Sequence, residues 1–294
     1  MIIVIVGPTC VGKTKLSISL AKKYNGEIIN ADSTQVYKGL DIATAKVTEE
    51  EKESIIHHLF DIKDISEDYT VYDYQNDCRN KIKDIISRGK TPILVGGTGL
   101  YIKAALYDYE FASENYVGDY SDLTNQELYD KLIAVDPNTE IHINNRKRVE
   151  RALSYYEETG RIMSAKDKTS TILYDALFIG LTTSRDVLYD RINKRVDLML
   201  GNGLLEEAKY LYDKGIRSKA VMTPIGYKEL FMYFDGDINL EESIEMIKQR
   251  SRRYAKRQYT WFNNQMNVKW FDVDFGCFDN TVLEIESYIN NFKD

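Results

Sequence analysis

Apolar residues in this chain fall into short dense runs separated by stretches of helical period. Ile2-Ile3-Val4-Ile5-Val6 is an unbroken β-branched run, the mark of a strand covered on both faces. Glu27-Ile28-Ile29-Asn30, Thr91-Pro92-Ile93-Leu94-Val95 and Asp175-Ala176-Leu177-Phe178-Ile179-Gly180-Leu181 repeat the pattern. Between the runs the apolar period changes to three or four. Leu16, Ile18 and Leu20 mark one inner face, and further helices are predicted at 49–56, from Tyr69 to a stop at Gly89, at 186–200 and at 204–212. Thr223-Pro224-Ile225-Gly226-Tyr227-Lys228 reads as a turn. The last long helix is expected over 241–262, with Ile244, Ile247, Ser251, Tyr254, Gln258 and Trp261 on its inner stripe and a strand-and-helix tail after Trp270. Alternating strand and helix predicts an α/β fold: a parallel sheet flanked by helices. From Tyr107 the pattern lapses, and two helices follow at 126–134 and 144–158 with no strand between them. An inserted small helical domain at 112–172 is therefore expected, dividing a core of 1–111 and 173–294.

Composition narrows the class. With 294 residues, 43% hydrophobic and 29% charged, the chain matches an ordinary soluble protein. Its net charge of −7 means that any polyanion must meet a local patch. One candidate patch is Lys248, Arg250, Arg252, Arg253, Lys256 and Arg257, whose compensating carboxylates on the same helix, Glu241, Glu242 and Glu245, lie only upstream. A solvated helix face and a phosphate-holding face both fit that run. Cys10, Cys78 and Cys277 form no C-x-x-C pair, as expected in a reducing cytoplasm. No apolar run approaches the ~20 residues of a membrane helix, so no membrane association is expected.

Candidate chemistry begins where the first strand ends. Gly7-Pro8-Thr9-Cys10-Val11-Gly12-Lys13-Thr14 fits G-x-x-x-x-G-K-[ST] between a strand and a helix, the context such a phosphate loop requires. Successive amides and the helix N-terminus attract a di- or triphosphate, Lys13 adds a point charge, and Thr14 offers a hydroxyl to Mg²⁺. Asp32 ends the second strand at the same sheet edge. The third strand ends in Gly96-Gly97, without the strand-end Asp usual in nucleotide hydrolysis. Asp32 is therefore open to proton acceptance from an incoming nucleophile, to an outer role around Mg²⁺ or to helix capping. A small-metabolite kinase and a nucleotide-sensing RNA-binding module remain compatible with the loop alone.

Several motifs together resemble the bacterial tRNA dimethylallyltransferases, also called tRNA isopentenyltransferases. They are the loop at 7–14, Asp32-Ser33-Thr34-Gln35-Val36-Tyr37, Asp41-Ile42-Ala43-Thr44-Ala45-Lys46, His57-His58-Leu59-Phe60-Asp61 and Gly96-Gly97-Thr98-Gly99-Leu100-Tyr101. The segment 148–153, Ile225-Gly226-Tyr227-Lys228-Glu229 and Arg257-Gln258-Tyr259-Thr260-Trp261-Phe262 complete the set across nearly the whole chain. The resemblance implies a P-loop fold and transfer of a dimethylallyl group from dimethylallyl diphosphate to the N6 amine of adenosine 37 in tRNAs reading codons that begin with U. It implies Asp32 as general base, Thr9 on the bridging oxygen of the leaving group, and Lys13 and Arg195 as neutralising charges. It implies tRNA contacts from Asp32, Ser33, Thr34, Gln35, Thr98, Lys147, Arg148, Val149, Glu150, Arg151, Thr223, Gly226, Tyr227, Lys228, Lys256, Arg257, Gln258 and Trp261, with Mg²⁺ on Thr14. A monomer that clamps the anticodon arm is expected, and prenyl transfer to free AMP is the nearest alternative. The chain departs from the family pattern at Ala43, Val47, Thr223 and Asn263.

Overall fold

The computed structural model describes residues 1–109, 118–165 and 171–293. It divides into two compact units, Met1–Leu106 with Tyr174–Asp294, and Tyr107–Leu173. The second unit thus begins at Tyr107 and ends at Leu173 rather than spanning 112–172. The expected boundary at 111–112 lies outside the described residues.

In chain order the first unit opens with β1 (Ile2–Val6), α1 (Lys13–Lys23), β2 (Gly26–Asn30), β3 (His57–His58), α2 (Val71–Ser87), β4 (Thr91–Val95) and α3 (Gly99–Leu106). The second unit contributes α4 (Asn125–Val135) and α5 (Arg146–Thr159). The first unit resumes with β5 (Ala176–Thr182), α6 (Arg185–Gly201), α7 (Leu204–Asp213), α8 (Lys219–Met222), α9 (Tyr227–Phe234), α10 (Leu240–Gln265), β6 (Lys269–Asp272) and α11 (Phe278–Lys293).

Six strands form one sheet in the order β3-β2-β4-β1-β5-β6, with every pairing parallel. β1 is central, and Ile3 to Val6 are wholly buried. That explains the absence of any polar alternation in its sequence. The chain leaves β1 toward β2 and later crosses to β5 on the other side. Such a reversal opens a crevice at the carboxyl ends of the strands. The core beneath the crevice joins Leu16, Ile18 and Leu20 of α1 to Ile3, Ile5, Ile93, Ile179 and, from α11, Ile285 and Ile289.

Two expectations fail in the first unit. The segment 49–56 forms turns, not a helix. Thr48 and Glu51 make a reciprocal cap, but Glu53 and Ser54 take positive φ, 47° and 65°, and no buried stripe follows to hold a second turn. Conversely, the region around 223–228 is flanked by the short helices α8 and α9, the latter starting at Tyr227.

The second unit has its own core of Tyr120, Leu128, Leu132, Val149, Ala152 and Leu153. Its base is closed by an antiparallel bridge between Tyr107 and Ile172. Thr124 and Glu127 form a capping box on α4, and Gly160 ends α5 in the left-handed conformation.

Candidate active site

The carboxyl ends of β1, β2 and β4 bring the phosphate loop, the segment after Asn30 and the Gly96-Gly97 turn to one edge of the sheet. Gly7 has φ 132°, and a Cβ there would lie 2.6 Å from the Leu181 carbonyl oxygen on β5. The loop can therefore lie this close to β5 only with glycine at that position. Cys10 adopts φ 68°, a left-handed conformation that costs energy for a non-glycine residue. Arg191 of α6 steadies it by donating from Nε to the Cys10 carbonyl at 2.9 Å, with its guanidinium 3.7 Å from the Phe275 ring centroid.

Two side chains distant in sequence hold Thr9. The Arg195 Nη1 donates to the Thr9 hydroxyl at 2.8 Å and lies 3.6 Å from the Cys10 Sγ. The Thr9 backbone N–H donates to the Gln258 Oε1 at 3.1 Å, and the Gln258 Nε2 donates to the Gly97 carbonyl at 3.1 Å. Lys13 folds back on the loop, its Nζ donating to the carbonyls of Gly7 at 3.0 Å and Pro8 at 2.6 Å. Burial, and after it the Arg195 charge, pull the Lys13 ammonium down to about 8, while Asp32 opposes the fall. Two cations that make no ion pair among the described residues prepare the cradle for a polyvalent anion. Thr14 sits exposed at the first turn of α1.

Asp32 stands on the other wall. Its Oδ1 accepts from the Thr34 N–H at 3.0 Å and the Thr34 hydroxyl at 2.7 Å. No hydrogen bond to its Oδ2 and no ion pair to the carboxylate occurs among the described residues. The carboxylate is thus oriented by one oxygen and open at the other. Next to it, the Thr98 hydroxyl accepts from the Ser33 N–H at 3.0 Å and donates to the Ser33 hydroxyl at 3.3 Å. Gly96 lies so close that an added Cβ would fall 2.2 Å from the Ala31 carbonyl oxygen, which locks the two turns together. The Tyr254 hydroxyl, within hydrogen-bond contact of Thr98 and Gln258, is pushed up by burial and then by Asp32.

Along α10 the cations divide. Lys248 pairs with Asp197 of α6 at 2.7 Å, Arg250 pairs with the buried Glu229 of α9, and Arg252 donates to Asn193 at 2.5 Å. The compensating partners absent from the helix's own sequence come from its neighbours. Arg253, Lys256 and Arg257 have no ion pair among the described residues. Arg253 and Arg257 join Met222, Thr223, Lys228 and Arg250 around a cavity of about 290 Å³.

Three expected RNA contacts meet a different geometry. Val149 is fully buried in the core of the second unit, and Tyr227 is fully buried with its hydroxyl donating to Glu207 at 2.7 Å. Gln258 is 5% exposed, and both ends of its amide are engaged at the loop. These side chains build the surface from beneath. Gly226 is also buried, its N–H donating to Glu229 at 2.8 Å. Lys147, Arg148 and Arg151 are exposed on α5, whereas Glu150 is committed to Arg146 at 2.7 Å. Thr223, Lys228, Lys256 and Arg257 are exposed, and Trp261 is half-buried over Gly99. The spacing of Arg191 and Arg195, four apart on α6, was the one sequence signal that Arg191 belongs beside the loop.

A family model described as IPP transferase matches residues 35–265. The chain belongs to the IPP transferase family. It is 52% identical to the tRNA dimethylallyltransferase of Anoxybacillus flavithermus over 297 residues, covering 98% of this chain and 96% of that one. The crystal structure of the full-length tRNA isopentenylpyrophosphate transferase of Bacillus halodurans superimposes with a TM-score of 0.77 at 48% identity, over 99% of this chain and 95% of the other. A eukaryotic dimethylallyltransferase described as acting on tRNA gives a TM-score of 0.85 at 34% identity, over 99% of this chain and 78% of that one. Like its structural neighbours, this IPP transferase has a P-loop NTPase-like fold, and it is a prenyltransferase. The family match begins at Gln35, so the phosphate loop itself rests on its own geometry and on the full-length relatives.

Proposed function

We propose that this enzyme moves a dimethylallyl group from dimethylallyl diphosphate to the N6 amine of adenosine 37, beside the anticodon, in tRNAs that read codons beginning with U. The single observation carrying this reading is the pairing of two walls: an anion cradle with Arg195 on Thr9, and an oriented Asp32 with one open carboxylate oxygen. The adenosine amine attacks the allylic carbon, a C–N bond forms, and the C–O bond to diphosphate breaks with its electron pair leaving on oxygen. Asp32 accepts the proton shed by the nitrogen. Thr9 holds the bridging oxygen, and Lys13 and Arg195 neutralise the charge growing on the departing group.

Thr14, exposed at the start of α1, would hold Mg²⁺ at this cradle by its hydroxyl. Among the described residues no cluster of three His, Cys, Asp or Glu side chains that could hold a metal ion occurs. When bound, the ion draws charge from the leaving diphosphate.

A base must leave its stack to meet a carbon in a crevice. The exposed cations Lys147, Arg148 and Arg151 on α5, and Lys228, Arg253, Lys256 and Arg257 in the first unit, supply phosphate contacts for an RNA acceptor. They favour tRNA over free AMP. We further propose that the enzyme acts as a monomer in the cytoplasm, where its tRNA substrate is. No helix of the described residues is long and apolar enough to cross a membrane. Incubation with labelled dimethylallyl diphosphate, unmodified tRNA and AMP in parallel tests the reading. Label is expected in tRNA alone. Label in AMP, or ATP consumption without transfer, overturns it.

A further inference from the structure

Gln35 is held by a chain of contacts that ends far from the reacting atoms. Its Nε2 donates to the Thr44 carbonyl at 2.9 Å and the Ala45 carbonyl at 3.3 Å. The segment carrying those carbonyls is itself gripped by Glu207 of α7. The Asp41 N–H donates to Oε2 at 2.9 Å, the Ile42 N–H to Oε2 at 2.9 Å, and the Ala43 N–H to Oε1 at 3.1 Å. Three successive amides converging on one acceptor make a nest of the type that binds anions. Here a carboxylate of the chain fills it. The Tyr227 hydroxyl adds a fourth donor, to Oε1 at 2.7 Å. Behind the nest, the Lys46 Nζ donates to the Tyr37 carbonyl at 2.8 Å and to Asp41 and Asp61 at 2.6 Å each.

We propose that Glu207, assisted by Tyr227, is a positioning residue for acceptor recognition. It fixes the segment 41–45 and thereby aims the Gln35 side chain, three residues after Asp32. This rests on the reading of Gln35 as an acceptor contact. α7 buries Leu204, Ala208 and Leu211, so the helix has an apolar anchorage that does not depend on the carboxylate. Among the described residues no hydrogen bond runs from 41–45 to the phosphate loop at 7–14. The effect of Glu207 should therefore reach the acceptor and spare the donor, a separation that a general loss of stability would not produce.

Glu207→Gln keeps the shape but presents an NH₂ group to amides that need an acceptor. It is expected to raise KM for tRNA about tenfold while KM for dimethylallyl diphosphate and the melting temperature hold. The amides of Asp41, Ile42 and Ala43 should lose protection from hydrogen exchange. Gln35→Ala should raise the tRNA KM in the same direction, and the double variant should be no worse than Gln35→Ala alone. An unchanged tRNA KM, an equal rise in donor KM, or full additivity of the two substitutions would overturn the proposal. Should Glu207→Gln fail to fold, Tyr227→Phe removes one donor only. It should raise the tRNA KM roughly two- to threefold at constant donor KM, and a flat tRNA KM again overturns the idea. A wild-type enzyme unable to prenylate tRNA at all would instead defeat the functional reading, a separate result.

Discussion

The Arg195 guanidinium reaches the Thr9 hydroxyl at 2.8 Å across 186 positions of sequence. This bond ties an uncharged loop residue to a cation of α6. Removing either partner should slow the chemical step more than donor binding. Arg195→Ala is expected to lower single-turnover rates by about 10²–10³. Thr9→Ala should cost less, and the double variant should fall short of the product of the two losses because both act on one oxygen. Arg195→Lys should not restore the rate, since an ammonium lacks the planar fork.

Asp32 offers a sharper separation. Asp32→Asn preserves an oxygen that accepts from Thr34 but removes the proton acceptor. Single-turnover prenylation should fall about 10²–10⁴-fold, with tRNA affinity measured by filter binding unchanged. Loss of tRNA binding in step with rate would assign Asp32 to recognition alone.

Lys13 sets a pH limit. In the free enzyme its ammonium lies near 8, lowered by burial first and Arg195 second. Below that pH it is a cation and attracts diphosphate; above it the amine is neutral. The kcat/KM for dimethylallyl diphosphate should therefore decline as pH rises through about 8. At saturating donor, kcat should stay level to higher pH, because bound diphosphate favours the charged amine. A pH profile of both parameters measures this.

At the opposite edge of the sheet, Glu27 of β2 is 1% exposed yet carries a charge. Arg88 holds its carboxyl far below the ordinary glutamate range, helped by Lys90 and His58 and opposed by burial. The distances are 2.6 Å to Arg88, 2.7 Å to Lys90 and 2.7 Å to His58. A carboxyl depressed on folding stabilises the folded state above its unfolded value, and that contribution drains away as the pH falls below it. Glu27→Gln should cost about 3 kcal/mol at pH 7 and flatten the acid side of the stability profile. Urea titrations at neutral and acid pH would show both effects.

Much of this was legible because the phosphate loop and the strands are local patterns. Spacing alone locates Gly7 to Thr14, and an unbroken apolar run alone identifies β1. The charged segment 49–56 misled because a capping pair at Thr48 and Glu51 begins a helix that has no apolar stripe to continue it. α9 passed unnoticed because eight residues rich in aromatics give little periodicity. The cations of α10 looked uncompensated because Asp197 and Glu229 are distant in sequence. The family resemblance implies RNA contacts at Gln258 and Tyr227, whose polar atoms face inward, and no periodicity distinguishes a buried hydrogen bond from an exposed one.

The bond from the Thr9 amide to Gln258 spans 249 positions. A ribosome making this enzyme releases the loop 249 positions before the side chain that braces it. Nascent chains interrupted upstream of α10 would carry the motif without its brace.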